Sequence, residues 1–385
     1  MTQESREDVY ELLAARGVSR RDFLGYCGAL AVMLGLTEAA APQIAAALEK
    51  TLPQPRKPVV WLGLGLCTGC TESMAQVNYP DVPTVVLDLL SVNYWETVQA
   101  AAGESAEKAK NDTIAAGGYI AVIEGTVMKG ADGNTLRIAG KTGLEHLKEV
   151  ASKADAIVAV GSCAVDGGWV RGRPNPASGT GVAEVAAELG FADKPLINLP
   201  TCPVNPEWIV AVVVDALFLG KLPALDDHNR PTLIFGSSIH DNCPRRGHFE
   251  NGEFVSEFGS AEEAKGWCLY KLGCKGPQTF TNCPTVRWNR KQSWCVESGS
   301  PCIGCGNLNW TDNDAPFLNR VRDIPLGSLG NVRPESVAYA VGGVAAVGLV
   351  AHGLGMKAAG RIGDGPPMEE QKAHDRKKMK KGGGK

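Results

Sequence analysis

The sequence predicts an α/β protein: a parallel sheet covered by helices, then a cysteine-rich, mostly irregular segment, then a C-terminal transmembrane helix. Three observations carry that reading. Between Pro58 and Gly236 short apolar runs alternate with helical stretches, the pattern of a parallel sheet with crossover helices. Beyond Gly236 that rhythm fades, and seven of the chain's twelve cysteines crowd between Cys243 and Cys305. From Ser336 to Met356 the 21 residues hold one acid–base side chain, His352. At 385 residues, 44% hydrophobic and 21% charged, the chain is neither mainly disordered nor fibrous. Its 39 basic and 42 acidic residues lack the basic excess of a nucleic-acid binder, so no nucleic-acid partner is expected.

Residues 1–50 read as a targeting segment outside the core. Paired arginines, Arg20 and Arg21, precede an apolar stretch from Phe23 to Leu36, and small residues from Ala39 to Ala47 offer cleavage sites. Twin arginines in this order mark the bacterial export route for folded proteins, which allows a cofactor to be inserted before the membrane is crossed. The alternative is a surface helix that contains Arg-Arg. Cys27 falls inside this segment and is not expected to be a ligand.

The sheet domain, residues 58–236, is assigned strands at Val59–Leu64, Val85–Leu89, Tyr119–Glu124, Ala156–Val160, Leu196–Leu199 and Thr232–Phe235. Helices fit between them at Ser105–Ala116, Leu144–Ser152, Val182–Leu189 and Glu207–Phe218. Ligands of such sheets sit beyond the carboxyl ends of the strands. Three predicted strands lead there to Cys67 and Cys70, to Cys163 and to Cys202. Nearby glycines permit tight turns, and backbone amides can then approach cluster sulfurs. Cys163 and Cys202 alone could be small buried hydrophobes, but with Cys67-x2-Cys70 at a third strand end the set reads as metal ligands. A nucleotide site is the weaker rival, because Gly63-Leu64-Gly65 lacks the third glycine of the fingerprint.

Residues 237–320 concentrate the remaining candidates: His240, Cys243, Cys268, Cys274, Cys283, Cys295, Cys302 and Cys305. Disulfides, zinc and iron–sulfur clusters are the three chemistries such density allows. Without Cys27 there are eleven thiols, and His240 makes twelve donors, three sets of four. Disulfides leave one thiol over, and zinc gives no reason for export after folding. Three four-ligand iron–sulfur clusters use every donor.

At this point the chain resembles the small, electron-transferring subunit of a nickel–iron hydrogenase, over nearly its whole length. The residues carrying the likeness are Cys67-Thr68-Gly69-Cys70-Thr71-Glu72, Gly161-Ser162-Cys163, Pro200-Thr201-Cys202-Pro203, Ser293-Trp294-Cys295 and Pro301-Cys302-Ile303-Gly304-Cys305. The resemblance implies a flavodoxin-like sheet domain followed by an iron–sulfur domain. It implies a proximal [4Fe–4S] cluster on Cys67, Cys70, Cys163 and Cys202, nearest the catalytic metal. A distal [4Fe–4S] cluster would use His240, Cys243, Cys268 and Cys274, and a medial one Cys283, Cys302 and Cys305. Many members have proline where Cys295 stands and a three-iron medial cluster. A fourth thiolate predicts [4Fe–4S] here, or [3Fe–4S] if Cys295 is an unliganded thiol. Gly69 and Gly167-Gly168 stand where oxygen-tolerant relatives carry extra cysteines, which implies an ordinary four-cysteine proximal cluster and oxygen sensitivity.

The implied function is electron transfer from dihydrogen oxidation in a nickel–iron catalytic large subunit to a membrane cytochrome b or similar quinone-linked acceptor. No catalytic residue is assigned to this chain, which would be inactive alone. Glu72 is either a contact to that partner or a solvated carboxylate. The stretch 336–356 is long enough to span a bilayer, and the nine Lys or Arg of residues 357–385 keep that flank cytoplasmic and the body periplasmic. His352 would then lie at the interface or face a haem-bearing partner. Rival readings are the single-cluster subunit of quinone oxidoreductases and a secreted module stapled by zinc or disulfides.

Overall fold

The computed structural model describes residues 19–33, 39, 41–51, 56–77, 90–218 and 222–320 of one compact unit, residues 1–320. Of a second unit, 321–385, it describes 324–325, 331–332, 334–359, 361–362, 372–373 and 376–377. The first unit is built on five parallel strands: β1 Lys57–Gly63, β2 Leu90–Trp95, β3 Tyr119–Glu124, β4 Ala154–Val160 and β5 Leu196–Leu199. Their order is β2-β1-β3-β4-β5, the doubly wound flavodoxin-like order.

Side chains alternate along these strands and so feed two cores. Val59, Trp61, Ile120, Val122, Val158, Val160, Ile197 and Leu199 belong to one, and Val60, Leu62, Ala121, Ile123, Ile157 and Ala159 to the other. Because both faces are covered, all six residues of β3 are buried. Helices α1 Gly69–Met74, α2 Gly103–Ala116, α3 Gly143–Lys153, α4 Gly161–Asp166, α5 Val182–Glu188 and α6 Pro206–Phe218 follow in chain order. Ala106 of α2, Leu147 and Val150 of α3 and Val185 of α5 pack on the second core. Helix α3 opens with a capping box: Glu145 N–H donates to Thr142 Oγ1 at 3.2 Å, and Thr142 N–H to Glu145 Oε2 at 2.6 Å.

The first core takes in Ile209 and Val210 of α6 together with Cys283, Trp294, Val296 and Cys302. The cysteine-rich segment therefore folds onto the sheet as part of one body. Its own structure is short: single turns at His240–Asn242, Tyr270–Leu272, Gly276–Gln278 and Cys283–Val286.

Two expectations change, and a third lies on residues that are not described. The run Val85–Leu89 lies outside the described residues, and the edge strand described is β2. Thr232–Phe235 is one helical turn and not a strand. A tight loop, in which Asp226 binds Arg230 through both backbone and guanidinium, leads into Pro231, and Thr232 N–H donates to Ala224 O at 2.9 Å. Phe235 meets Trp208 edge-on at 5.2 Å instead of extending the sheet. Residues of the segment expected to lie outside the core also pack: Phe23, Cys27 and Ala31 of helix Arg20–Met33, with Ile44 and Ala45 of helix Ala41–Thr51, join the first core. Their apolar faces leave water by packing on the apolar surface beside α6.

The second unit is dominated by one helix, Pro334–Ala358. Within it Tyr339–Ala358 is long and apolar enough to cross a membrane by length and composition.

Candidate functional site: three groups of cysteines

The first group forms where β1, β4 and β5 end. After β1, Gly65 exchanges backbone hydrogen bonds with Thr126 at 3.0 and 3.1 Å, which aims the chain into Cys67 and α1. Cys163 sits in α4, directly after β4, and Cys202 in the turn after β5. Ser162 ties the last two together: its N–H donates to Thr201 O, and its Oγ accepts from Thr201 N–H, both at 3.0 Å. Burial and the charges of its neighbours, Cys163 and Cys202 among them, push the Cys70 thiol far up. Burial, then Cys163 and Cys67, pushes Cys202 up to about 11. All four sequence-predicted residues thus interact.

Glycine shapes this site at two positions. Gly161 has φ +82°, and a Cβ there would stand 2.4 Å from Cys70 Sγ. A Cβ on Gly168, φ +46°, would stand 2.9 Å from Cys163 Sγ. A side chain at either would occupy the space the sulfurs face.

The second group lines a cavity of about 350 Å³ that holds Cys283, Cys295, Cys302 and Cys305. Thr281 Oγ1 donates to Cys283 Sγ at 3.0 Å, and Gly304 N–H to Cys302 Sγ at 3.4 Å. Burial, with Cys302 and Cys295 nearby, pushes Cys283 up to about 12. Cys295, the exposed member, also acts on Cys305. Trp294 lines the same cavity, is 3% exposed, and its buried Nε1–H has no acceptor among the described residues.

The third group is His240, Cys243, Cys268 and Cys274, which line a smaller cavity with Arg245, Phe249 and Tyr270. His240 stands in the single turn before Cys243 and meets Phe249 edge-on at 4.6 Å. Cys268 is held by backbone bonds to Glu253 O at 3.0 Å and from Val255 N–H at 2.9 Å. Burial pushes all three thiols up, Cys268 to about 11.

The groups are joined in series. Ser162 Oγ, beside Cys163, donates to Cys305 O at 2.8 Å. At the other side Cys302 N–H donates to Cys274 Sγ at 3.3 Å. Among the described residues no three His, Cys, Asp or Glu side chains converge on a point that one metal ion would fill. The donors instead surround volumes. Crowded thiols, a donor without an acceptor and glycines at the sulfurs fit iron–sulfur clusters, whose iron holds thiolates and whose sulfide accepts hydrogen bonds.

Sequence reasoning missed Glu124 and Arg245. Glu124 closes β3, is 2% exposed, and accepts from Cys70 N–H at 3.1 Å, Thr71 N–H at 3.2 Å, Thr71 Oγ1 at 2.6 Å and Trp61 Nε1 at 3.0 Å. A glutamate ending an otherwise apolar strand was the available signal. Glu72 is exposed, and so is His352.

Fold and sites together define an iron–sulfur electron-transfer protein. Residues 67–216 match the family model "NADH ubiquinone oxidoreductase, 20 Kd subunit", and residues 235–318 match the C-terminal family model of the "NiFe/NiFeSe hydrogenase small subunit". The periplasmic [NiFe] hydrogenase small subunit 1 of Nitratidesulfovibrio vulgaris is 43% identical over 314 residues, 81% of this chain and 96% of its own. The quinone-reactive Ni/Fe-hydrogenase small chain of Wolinella succinogenes is 38% identical over 89% of this chain and 97% of its own. Among solved structures, a reduced, active Ni-Fe-Se hydrogenase from Desulfomicrobium baculatum aligns with TM-score 0.65 and 32% identity, covering 69% of this chain and 100% of that one. The chain belongs to the small-subunit family of nickel–iron hydrogenases.

Proposed function

We propose that the chain holds three four-iron clusters in series and carries electrons from dihydrogen oxidation in its catalytic large subunit to a quinone-linked membrane cytochrome. In this reading Cys67, Cys70, Cys163 and Cys202 hold the proximal cluster, Cys283, Cys295, Cys302 and Cys305 the medial, and His240, Cys243, Cys268 and Cys274 the distal. The clusters supply one-electron redox chemistry, and the protein spaces them, excludes water and sets their potentials. The observation that carries the reading is the serial linkage, with Cys305 bound to the first group and Cys302 to the third. Export by the twin-arginine route and a membrane-spanning 336–356 place the body at the periplasmic face. The exposed apolar helix and the periplasmic and quinone-reactive relatives support that placement.

The test is iron and acid-labile sulfide per chain in the heterodimer purified anaerobically, with EPR of oxidised and reduced samples. The expected result is about thirteen irons per heterodimer, twelve in the clusters and one at the nickel–iron centre, and no oxidised three-iron signal, falling to about twelve with such a signal in Cys295→Ala. About twelve irons with a three-iron signal in the unmutated heterodimer would remove Cys295 from the ligand set, and about five would reduce the chain to a single-cluster subunit.

A further inference from the structure

The environments of the first and third groups differ in the sign of one fixed charge. Beside the first stands Glu124. All four of its hydrogen bonds come from donors, two backbone amides, an indole and a hydroxyl, which is the arrangement of an anion. No cation pairs with it among the described residues. Trp61 and Trp95 stack at 4.1 Å and 9° beside it, and Trp95 Nε1 donates to Thr71 Oγ1 at 3.1 Å, so that water is excluded.

Beside the third group stands Arg245. Its Nη1 donates to Trp267 O at 2.9 Å, next to Cys268, and the residue lines the cavity with all four donors. The neighbouring Arg246 is neutralised by Glu250 at 2.9 Å and Asp241 at 3.4 Å, whereas no carboxylate pairs with Arg245 among the described residues. An arginine is charged at every working pH.

We propose that Glu124 and Arg245 are tuning residues of opposite sign, which hold the first site at a lower reduction potential than the third and make electron flow outward downhill. This rests on the cluster reading above. Adding an electron beside a buried anion is disfavoured and beside a cation favoured, most of all where water is excluded. Glu124, being the more deeply buried, has the larger effect.

The experiment is a mediated redox titration of the anaerobically purified heterodimer, followed by EPR, with iron and sulfide measured on the same samples. In Glu124→Gln the reduced-to-oxidised ratio of the proximal cluster at fixed potential rises about tenfold, about 59 mV for one electron. In Arg245→Gln that of the distal cluster falls about threefold, about 28 mV, because solvent screens a half-buried charge. Glu124→Asp and Arg245→Lys keep the charge and titrate near the unmutated protein. Full-iron Gln variants that titrate as the unmutated protein overturn the proposal, as do charge-retaining variants that shift as far as Gln. Should Glu124→Gln lose iron, Glu124→Asp decides in its place: unshifted supports the assignment, shifted overturns it. An unmutated protein whose proximal cluster titrates with or above the distal one overturns the proposal as well, whereas iron and sulfide too low for two four-iron end clusters would instead refute the cluster reading itself.

Discussion

At the scale of the residue, Trp294 shows what the sulfur sites demand of their walls. A buried donor left without an acceptor costs about 1–3 kcal/mol, yet Trp294 Nε1–H is left so beside four cysteines. A cluster sulfur would accept it. Hydrogen bonds to sulfur stabilise the reduced, more negative state, so Trp294→Phe is expected to lower the medial potential with iron content unchanged. Redox titration reads the shift, and ¹⁵N-labelled indole should show hyperfine coupling to the reduced cluster. Coupling absent and potential unmoved would return Trp294 to a packing role. Gly161→Ala makes the complementary test. Its Cβ would enter at 2.4 Å from Cys70 Sγ at φ +82°, so the variant should lose the proximal cluster, about four irons per chain. The cysteines were legible because ligand chemistry is written in their spacing and at the ends of strands. Glu124 and Trp294 were not: Glu124 meets Cys70 across 54 residues, and an unsatisfied donor exists only in three dimensions.

At the scale of the element, legibility followed apolar content. Tyr119–Glu124 and Leu196–Leu199 are apolar runs bounded by turn residues and hold their expected limits. β2, Leu-Ser-Val-Asn-Tyr-Trp, is an edge strand with three polar or half-buried positions between buried ends, which leaves little pattern to read. Thr232–Phe235 shows the opposite fault, since four apolar-rich residues suit a helical turn as well as a strand. Helix α3 offers a local test. Its Thr142 cap should contribute about 1 kcal/mol, lost in Thr142→Ala and measured as faster hydrogen exchange along α3 at pH 7. Thr142's amide and hydroxyl hold the Glu145 carboxyl below its ordinary range. A carboxyl with a depressed folded pKa stabilises above its unfolded value and loses that contribution as pH falls through the folded one. The difference between Thr142→Ala and the unmutated protein should therefore narrow as pH drops below about 4.3. A gap constant across that window would assign the cap's effect to the hydroxyl alone.

At the scale of the molecule, the second unit presents a helix whose apolar side chains are exposed among the described residues. Eight large apolar side chains from Val337 to Leu354 are 41–75% exposed, and none of the apolar window is buried. Removing such side chains from water is worth ~1.5–3 kcal/mol each, together on the order of 10 kcal/mol, whereas a basic flank adds only about 1 kcal/mol per charge near an anionic surface. Membrane attachment should thus follow the helix and not the tail. Neutralising Arg376, Lys377 and Lys378 is expected to leave the heterodimer in the carbonate-washed membrane fraction. A chain ending before Pro334 should move it to the soluble fraction with cluster content unchanged, because the described ligands all lie in the first unit. If the shortened chain stays with the membrane, attachment belongs to a partner. If the full chain is released by carbonate alone, the helix packs against protein rather than lipid.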